Sequence, residues 1–144
     1  MKSKVYFNNA DRNLVYKNKT NLKQFVATIF ELEKIELETI NYIFCSDEYL
    51  LKINQQFLNH HYYTDIITFC LSSPKQPIIS EAYISIDRVK ENAYEFNTSF
   101  NNEIRRVVFH GALHLCGYKD KSKKSIDLMR EKETFYLNMF NSQM

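Results

Sequence analysis

Apolar positions along the chain change their period several times, and each change predicts an element. In Lys4-Val5-Tyr6-Phe7-Asn8, Val5 and Phe7 alternate with their neighbours, which predicts a short first strand followed by a polar stretch through Lys19. Phe25, Val26, Ile29, Phe30 and Leu32 recur at helical spacing, predicting a helix capped by Thr20 or Asn21 and running to about Lys34. Leu37 to Cys45 is rich in branched and aromatic residues and reads as a strand. Ser46 ends it and caps a helix through Tyr49, Leu50, Ile53 and Phe57, with Asp47 and Glu48 at its positive end. After the polar loop Asn59 to Tyr63, a strand is predicted from Asp65 to Leu71. Pro74 and Pro77 mark a turn region from Ser72 to Ser80, and Ala82, Ile84 and Ile86 alternate with Tyr83 and Ser85 as a fourth strand, fit to form a hairpin with the third. Three helices complete the pattern. Asp87 caps one to about Phe96, and Asn101 or Asn102 caps the next. The last spans Ser125 to Phe140 with Ile126, Met129, Phe135, Leu137 and Phe140 as apolar positions.

The order β, α, β, α, β, β, α, α, α predicts an α+β domain over residues 1–144, a small mixed sheet of about four strands covered by about five helices. Composition narrows this. A chain of 144 residues with 44% hydrophobic content supports one core and not two. Only two Gly and two Pro, against 10 Tyr and 11 Phe, imply short loops and an aromatic interior. The formal charge of +2 excludes a strongly basic nucleic-acid coat, though residues 1–24 and 119–132 are locally basic and Glu31, Glu33, Glu36 and Glu38 form an acidic run. Cys45, Cys70 and Cys116 are odd in number and lack C-x-x-C spacing, which argues against a disulfide framework or a Cys-rich zinc module. Neither a signal peptide nor an apolar membrane span is legible, so the cytoplasm is the expected location.

The candidate chemistry lies between Ile104 and Asp120. Residues four apart on a helix lie one above the other, so His110 and His114 are placed to share a cation. Gly117 is suited to end that helix in a left-handed conformation, and Asp120 then becomes a third ligand. The helix is expected to be central, with Ile104, Val108, Gly111, Ala112 and Leu115 facing inward and the two His on its flank. Three ligands leave a fourth position on Zn²⁺ for water, whose pKa the ion lowers to about 7, and hydrolysis is the natural reading. The form H-x-x-x-H-x-x-G-x-x-D resembles the zinc signature of metzincin-type peptidases, but Gly111 stands where the H-E-x-x-H motif carries its general base. A peptidase is therefore the weakest alternative.

His110-Gly111-Ala112-Leu113-His114-Leu115-Cys116-Gly117-Tyr118 resembles the H-G-x-L-H-L-x-G-Y hallmark of the YbeY family, bacterial endoribonucleases of ribosomal RNA maturation. Upstream, Thr64-Asp65-Ile66-Ile67-Thr68-Phe69 is similar to that family's T-D-V-L-S-F segment, and Glu81 to Ile86 more weakly to its G-D-I-x-I strand. The resemblance implies a metal-dependent, single-strand-directed endoribonuclease in ribosomal RNA maturation and quality control. Its implied partners are ribosomal RNA and ribosomal subunit proteins, and its implied cofactor is one Zn²⁺ or another divalent ion. Two residues depart from the family pattern: Asp120 replaces the usual third His ligand, and Leu58 replaces an Arg associated with RNA cleavage. Asp65 and Glu81 are expected as auxiliary acid-base or ligand-orienting groups. Arg106, Lys119 and Lys121 are the candidate RNA contacts. The competing reading is a non-catalytic ribosome-assembly factor with a structural metal.

Overall fold

The computed structural model describes residues 4–143. Its elements are β1 (Val5–Asn9), α1 (Lys19–Leu32), β2 (Leu37–Cys45), α2 (Asp47–Leu58), β3 (Ile66–Cys70), β4 (Ile78–Ser85), α3 (Ile86–Glu95), α4 (Phe100–Leu115) and α5 (Lys123–Ser142). The sheet order is β1-β2-β4-β3, with β1 and β2 parallel, β2 and β4 parallel, and β3 antiparallel to β4. The expected α+β class, mixed sheet and β3–β4 hairpin are thus present. Among the described residues no helix is long and apolar enough to cross a membrane.

Side-chain alternation gives the sheet two unequal faces. Ile40, Tyr42, Phe44, Ala82 and Ile84 join the main core with residues of α1, α3, α4 and α5, whereas Cys45, Ile67, Phe69 and Tyr83 form a smaller cluster with Leu50 and Ile53 of α2. Helix α4 runs through the middle of the larger layer. Its buried face is wider than one stripe: Val107, Phe109 and Leu113 are as buried as Ile104, Val108 and Ala112, while Leu115 is only half-buried. Contact with β3, β4, α1, α3 and α5 accounts for this, because a helix enclosed on several sides needs apolar residues around most of its circumference. Two contacts fix its position over the sheet. The buried Tyr42 hydroxyl donates to the Val108 carbonyl at 2.9 Å. At Gly111 a Cβ would lie 2.7 Å from Ile66 Cδ1. The helix therefore lies directly against the Ile66 side chain at Gly111, and a larger residue there requires that side chain to move.

The element boundaries correct three predicted caps and the start of the last helix. Asn18, in the left-handed region at φ 64°, caps α1 through the Asn21 amide, one turn before the expected Thr20 or Asn21. Ser85 ends β4 and caps α3 through the Arg88 amide, so Ile86 belongs to the helix and not to the strand, and Asp87 lies in the first helical turn. Ser99 caps α4 in place of Asn101 or Asn102, and Ser122 caps α5 by a reciprocal box with Ser125, so α5 starts at Lys123. In each case a short acceptor upstream reaches the free amides of the first turn. Strand β4 begins at Ile78, inside the expected turn region, because the Ile78 amide donates to Glu36 O and extends the ladder to β2. Phe135 is 52% exposed and Tyr136 takes its place in the α5 core. The predicted cap Ser46 is in place, accepting from the Tyr49 amide.

Candidate metal centre

Helix α4 ends in a Schellman turn, and that turn builds half of the site. The Gly117 amide donates to His114 O and the Tyr118 amide to Leu113 O, both at 3.0 Å, with Gly117 at φ 109°. The turn brings the Tyr118 carbonyl back over the helix, where it lies 2.9 Å from His114 Nδ1. A carbonyl only accepts, so Nδ1 carries the proton and Nε2 of neutral His114 presents a lone pair. No atom lies within 4 Å of a Cβ built on Gly117. Gly117→Ala is therefore expected to cost about 1–2 kcal/mol from backbone strain alone and to weaken metal binding by misplacing the Tyr118 carbonyl. Denaturant unfolding and a metal titration on one variant check both effects.

His110 is oriented from α5. Its Nδ1 lies 2.5 Å from Glu133 Oε2, and the Glu133 side chain is only 4% exposed. Nδ1 again donates, leaving Nε2 as the acceptor that faces outward. His114 Nε2 and His110 Nε2 then lie 3.2 and 3.5 Å from one oxygen, Asp120 Oδ2. Two nitrogen lone pairs and a carboxylate converging this closely repel one another unless a positive charge lies among them.

These distances carry further information. Two ligands about 2.0–2.1 Å from a tetrahedral ion are about 3.3–3.4 Å apart, and both separations to Asp120 fall beside that value. The ligand atoms of His110, His114 and Asp120 all lie within 4.8 Å of one another. The donor set fits Zn²⁺, and its one carboxylate also makes harder divalent ions acceptable. Two imidazoles and one carboxylate leave a coordination position open, as a catalytic site requires.

A cation at His110 competes with a proton for Nε2. Burial alone would lower the His110 pKa, but the hydrogen bond and charge of Glu133, with Asp65 and Asp120 nearby, raise it above the ordinary 6.5. In the metal-free protein the charged imidazole therefore persists to higher pH than in a free histidine. Its stabilising contribution is full below the unfolded-state pKa of about 6.5 and disappears as pH rises through the raised folded value. Metal affinity is therefore expected to climb with pH in that window and then level off. Zn²⁺ titrations between about pH 5 and 8 check this, and a flat affinity would contradict it.

The other expected site residues divide. Asp65, at the entry to β3, lies beside the cluster: it lines two clefts of about 280 and 270 Å³ that also share His110 and Asp120. Desolvation raises its pKa against the pull of His110 and Arg106, and its Oδ2 accepts from Asn92 Nδ2 at 3.2 Å. Glu81 is not brought to the site. It shares the α2 face of β4 with Tyr83, whose hydroxyl it accepts at 3.4 Å, because residues of odd number on this strand point away from α4. The carboxylate hydrogen-bonded to His110 Nδ1 is that of Glu133, and not that of Asp65 or Glu81. Arg106 borders the second cleft, but its guanidinium is engaged by Glu103 at 2.6 and 3.1 Å and by Glu133 at 3.2 Å. Lys119 and Lys121 are exposed on either side of Asp120. Cys116 is half-buried; burial and the Glu33 charge push its thiol up to about 12, as suits a packed residue and not a ligand.

A family profile described as Endoribonuclease YbeY matches residues 6–141. The chain belongs to the YbeY family. Among its relatives, Endoribonuclease YbeY of Cytophaga hutchinsonii is 44% identical over 135 residues, 94% of each chain. That of Flavobacterium johnsoniae is 50% identical over 115 residues, 80% of this chain and 81% of the relative. The solution structure of TM1509 from Thermotoga maritima matches with a TM-score of 0.62 and 28% identity, covering 96% of this chain and 90% of that one. The resemblance read from His110 to Tyr118 and from Thr64 to Phe69 thus extends along nearly the whole YbeY chain.

Proposed function

We propose that this YbeY-family protein is a metal-dependent endoribonuclease that cuts unpaired segments of ribosomal RNA during maturation and quality control. The observation that carries the proposal is the convergence of His110 Nε2, His114 Nε2 and Asp120 Oδ2 in an open cleft of a chain whose curated relatives are named endoribonucleases. A divalent ion held there, Zn²⁺ by the chemistry of the donors, supplies Lewis acidity toward a phosphoryl oxygen and an acidified water. The chain's own residues do the rest. Glu133 and the Tyr118 carbonyl keep both Nδ1 protons in place, so the Nε2 atoms stay available. Asp65, with its pKa raised by burial, is suited to hold and release a proton beside His110. Lys119 and Lys121 supply positive charge for a phosphate backbone.

The position of the site disfavours a purely structural metal. Asp120 is 42% exposed, and the aromatic core under α4 closes without any contribution from the three ligands. Chelation should accordingly abolish scission of a single-stranded RNA oligomer while moving the melting temperature little. A large drop in melting temperature, with no scission by the loaded protein, would favour the non-catalytic assembly factor.

A further inference from the structure

One of the two clefts beside the candidate ligands is bounded by the rim of residues 58–64. Leu58, His60, Tyr62 and Thr64 line the cleft together with Asp65, His110, His114 and Asp120, and no Lys or Arg is among the lining residues. The second cleft, across His110 and Asp120, is bordered by Arg106 and Arg130. The two clefts thus differ in lining: arginines and carboxylates border one, and the His60–Tyr62 rim borders the other.

The aromatic rim is built. Asn54, 1% exposed, donates its side-chain amide to the Tyr62 carbonyl at 2.9 Å, and its backbone carbonyl accepts from the His60 amide at 3.1 Å. One buried residue thus fixes both ends of the His60–Tyr62 segment, by its side-chain amide at Tyr62 and its backbone carbonyl at His60. The His60 and Tyr62 rings stack at 5.2 Å with 21° between their planes, and Tyr62 Oη lies 3.0 Å from His60 Nδ1. Tyr62 nevertheless remains 57% exposed. Its neighbour Tyr63 is occupied elsewhere, its hydroxyl donating to Glu48 at 2.8 Å and its ring lying under Arg88. Such a loop holds apolar ring surface in water while its backbone is already ordered, which lowers the entropy lost when a flat ligand is received.

We infer that the His60–Tyr62 pair is a base-stacking subsite, receiving an unpaired nucleobase of the strand whose phosphodiester lies at the metal ligands. This rests on the endoribonuclease reading and adds to it the mode of grip. Recognition on this side of the scissile bond is by ring stacking, which every base satisfies, and not by phosphate contact. A paired base has its faces covered by its neighbours, so the subsite also selects unpaired RNA.

The test measures equilibrium binding of a short unpaired RNA, and of copies with one abasic nucleotide at each position, to the Zn²⁺-loaded wild type, Tyr62→Ala, Tyr62→Phe and Tyr63→Phe. Stacking worth about 1–3 kcal/mol per base corresponds to roughly 5- to 150-fold weaker binding by Tyr62→Ala. Tyr62→Phe, which keeps the ring but loses the hydroxyl contact to His60, should recover most of the binding lost in Tyr62→Ala, and Tyr63→Phe, which lies outside the cleft, should bind as wild type. At one position, abasic substitution should weaken the wild type and leave Tyr62→Ala unchanged. Equal affinity of wild type and Tyr62→Ala, or a loss that no abasic position cancels, overturns the subsite and points to a protein surface as the covering of the loop. If wild type neither binds nor cleaves unpaired RNA, the endoribonuclease reading itself fails, which is a separate outcome.

Discussion

Arg106→Ala is expected to destabilise the protein by about 3–5 kcal/mol, the usual cost of stripping the partner from buried carboxylates. The Glu103 and Glu133 side chains are 1% and 4% exposed, and Arg106 bridges them from one turn of α4 to the middle of α5. Without the guanidinium, two enclosed carboxylates face each other with no positive charge between them except a protonated His110. Burial already raises the Glu103 pKa against the pull of Arg106, and removal of Arg106 lifts that restraint. The sign of the pH dependence follows. Groups with a raised folded pKa favour the folded state in the protonated form, so the deficit of Arg106→Ala relative to wild type should be largest at neutral pH and shrink toward pH 4–5, near the carboxylate range of about 4. Urea unfolding at two pH values measures it. A deficit that is small and independent of pH would mean that Arg106 is free to act as an RNA contact.

Glu133→Gln is expected to keep the shape of α5 while lowering Zn²⁺ affinity about 10- to 100-fold, the usual effect of changing the group behind a ligating histidine. The amide oxygen can still accept from His110 Nδ1, but the charge that makes the imidazole a stronger base is gone. Arg106 keeps its two contacts to Glu103, so the fold should suffer less than in Arg106→Ala. Competition with a chromophoric chelator reads the affinity. Unchanged affinity would show that the orientation of His110 is set by its packing in α4 and not by α5.

What could be read from the chain and what could not differ for a physical reason. The elements followed from periodicity, and the convergence of His110, His114 and Asp120 from helical spacing with Gly117 as the break, because these are local relations along one segment. Glu133 and Glu103 were missed because their importance depends on α4 and α5 packing together. A local signal existed for each: Glu133 stands in register with Met129, Leu137 and Phe140, and Glu103 with Val107, so each puts a charge on an apolar stripe. A carboxylate in such a place needs a partner, and Arg106 and His110 are the cations within reach. Glu81 was overvalued for the complementary reason. Strand alternation decides which face it occupies, and Ala82 and Ile84, its neighbours on the strand, take the face toward α4. The helix caps drifted by two or three residues where Ser, Thr, Asn or Asp stood close together, since any of them can reach the first-turn amides and the tertiary entry angle selects one.

The claim on which the rest depends is that His110, His114 and Asp120 hold one divalent ion through which RNA is cut. Elemental analysis of purified wild type, His110→Ala and Asp120→Ala, run beside cleavage of a single-stranded RNA oligomer, tests it directly. One ion per chain in the wild type, lost from both variants together with cleavage, is the predicted result. Full metal content with undiminished cleavage in either variant would contradict it.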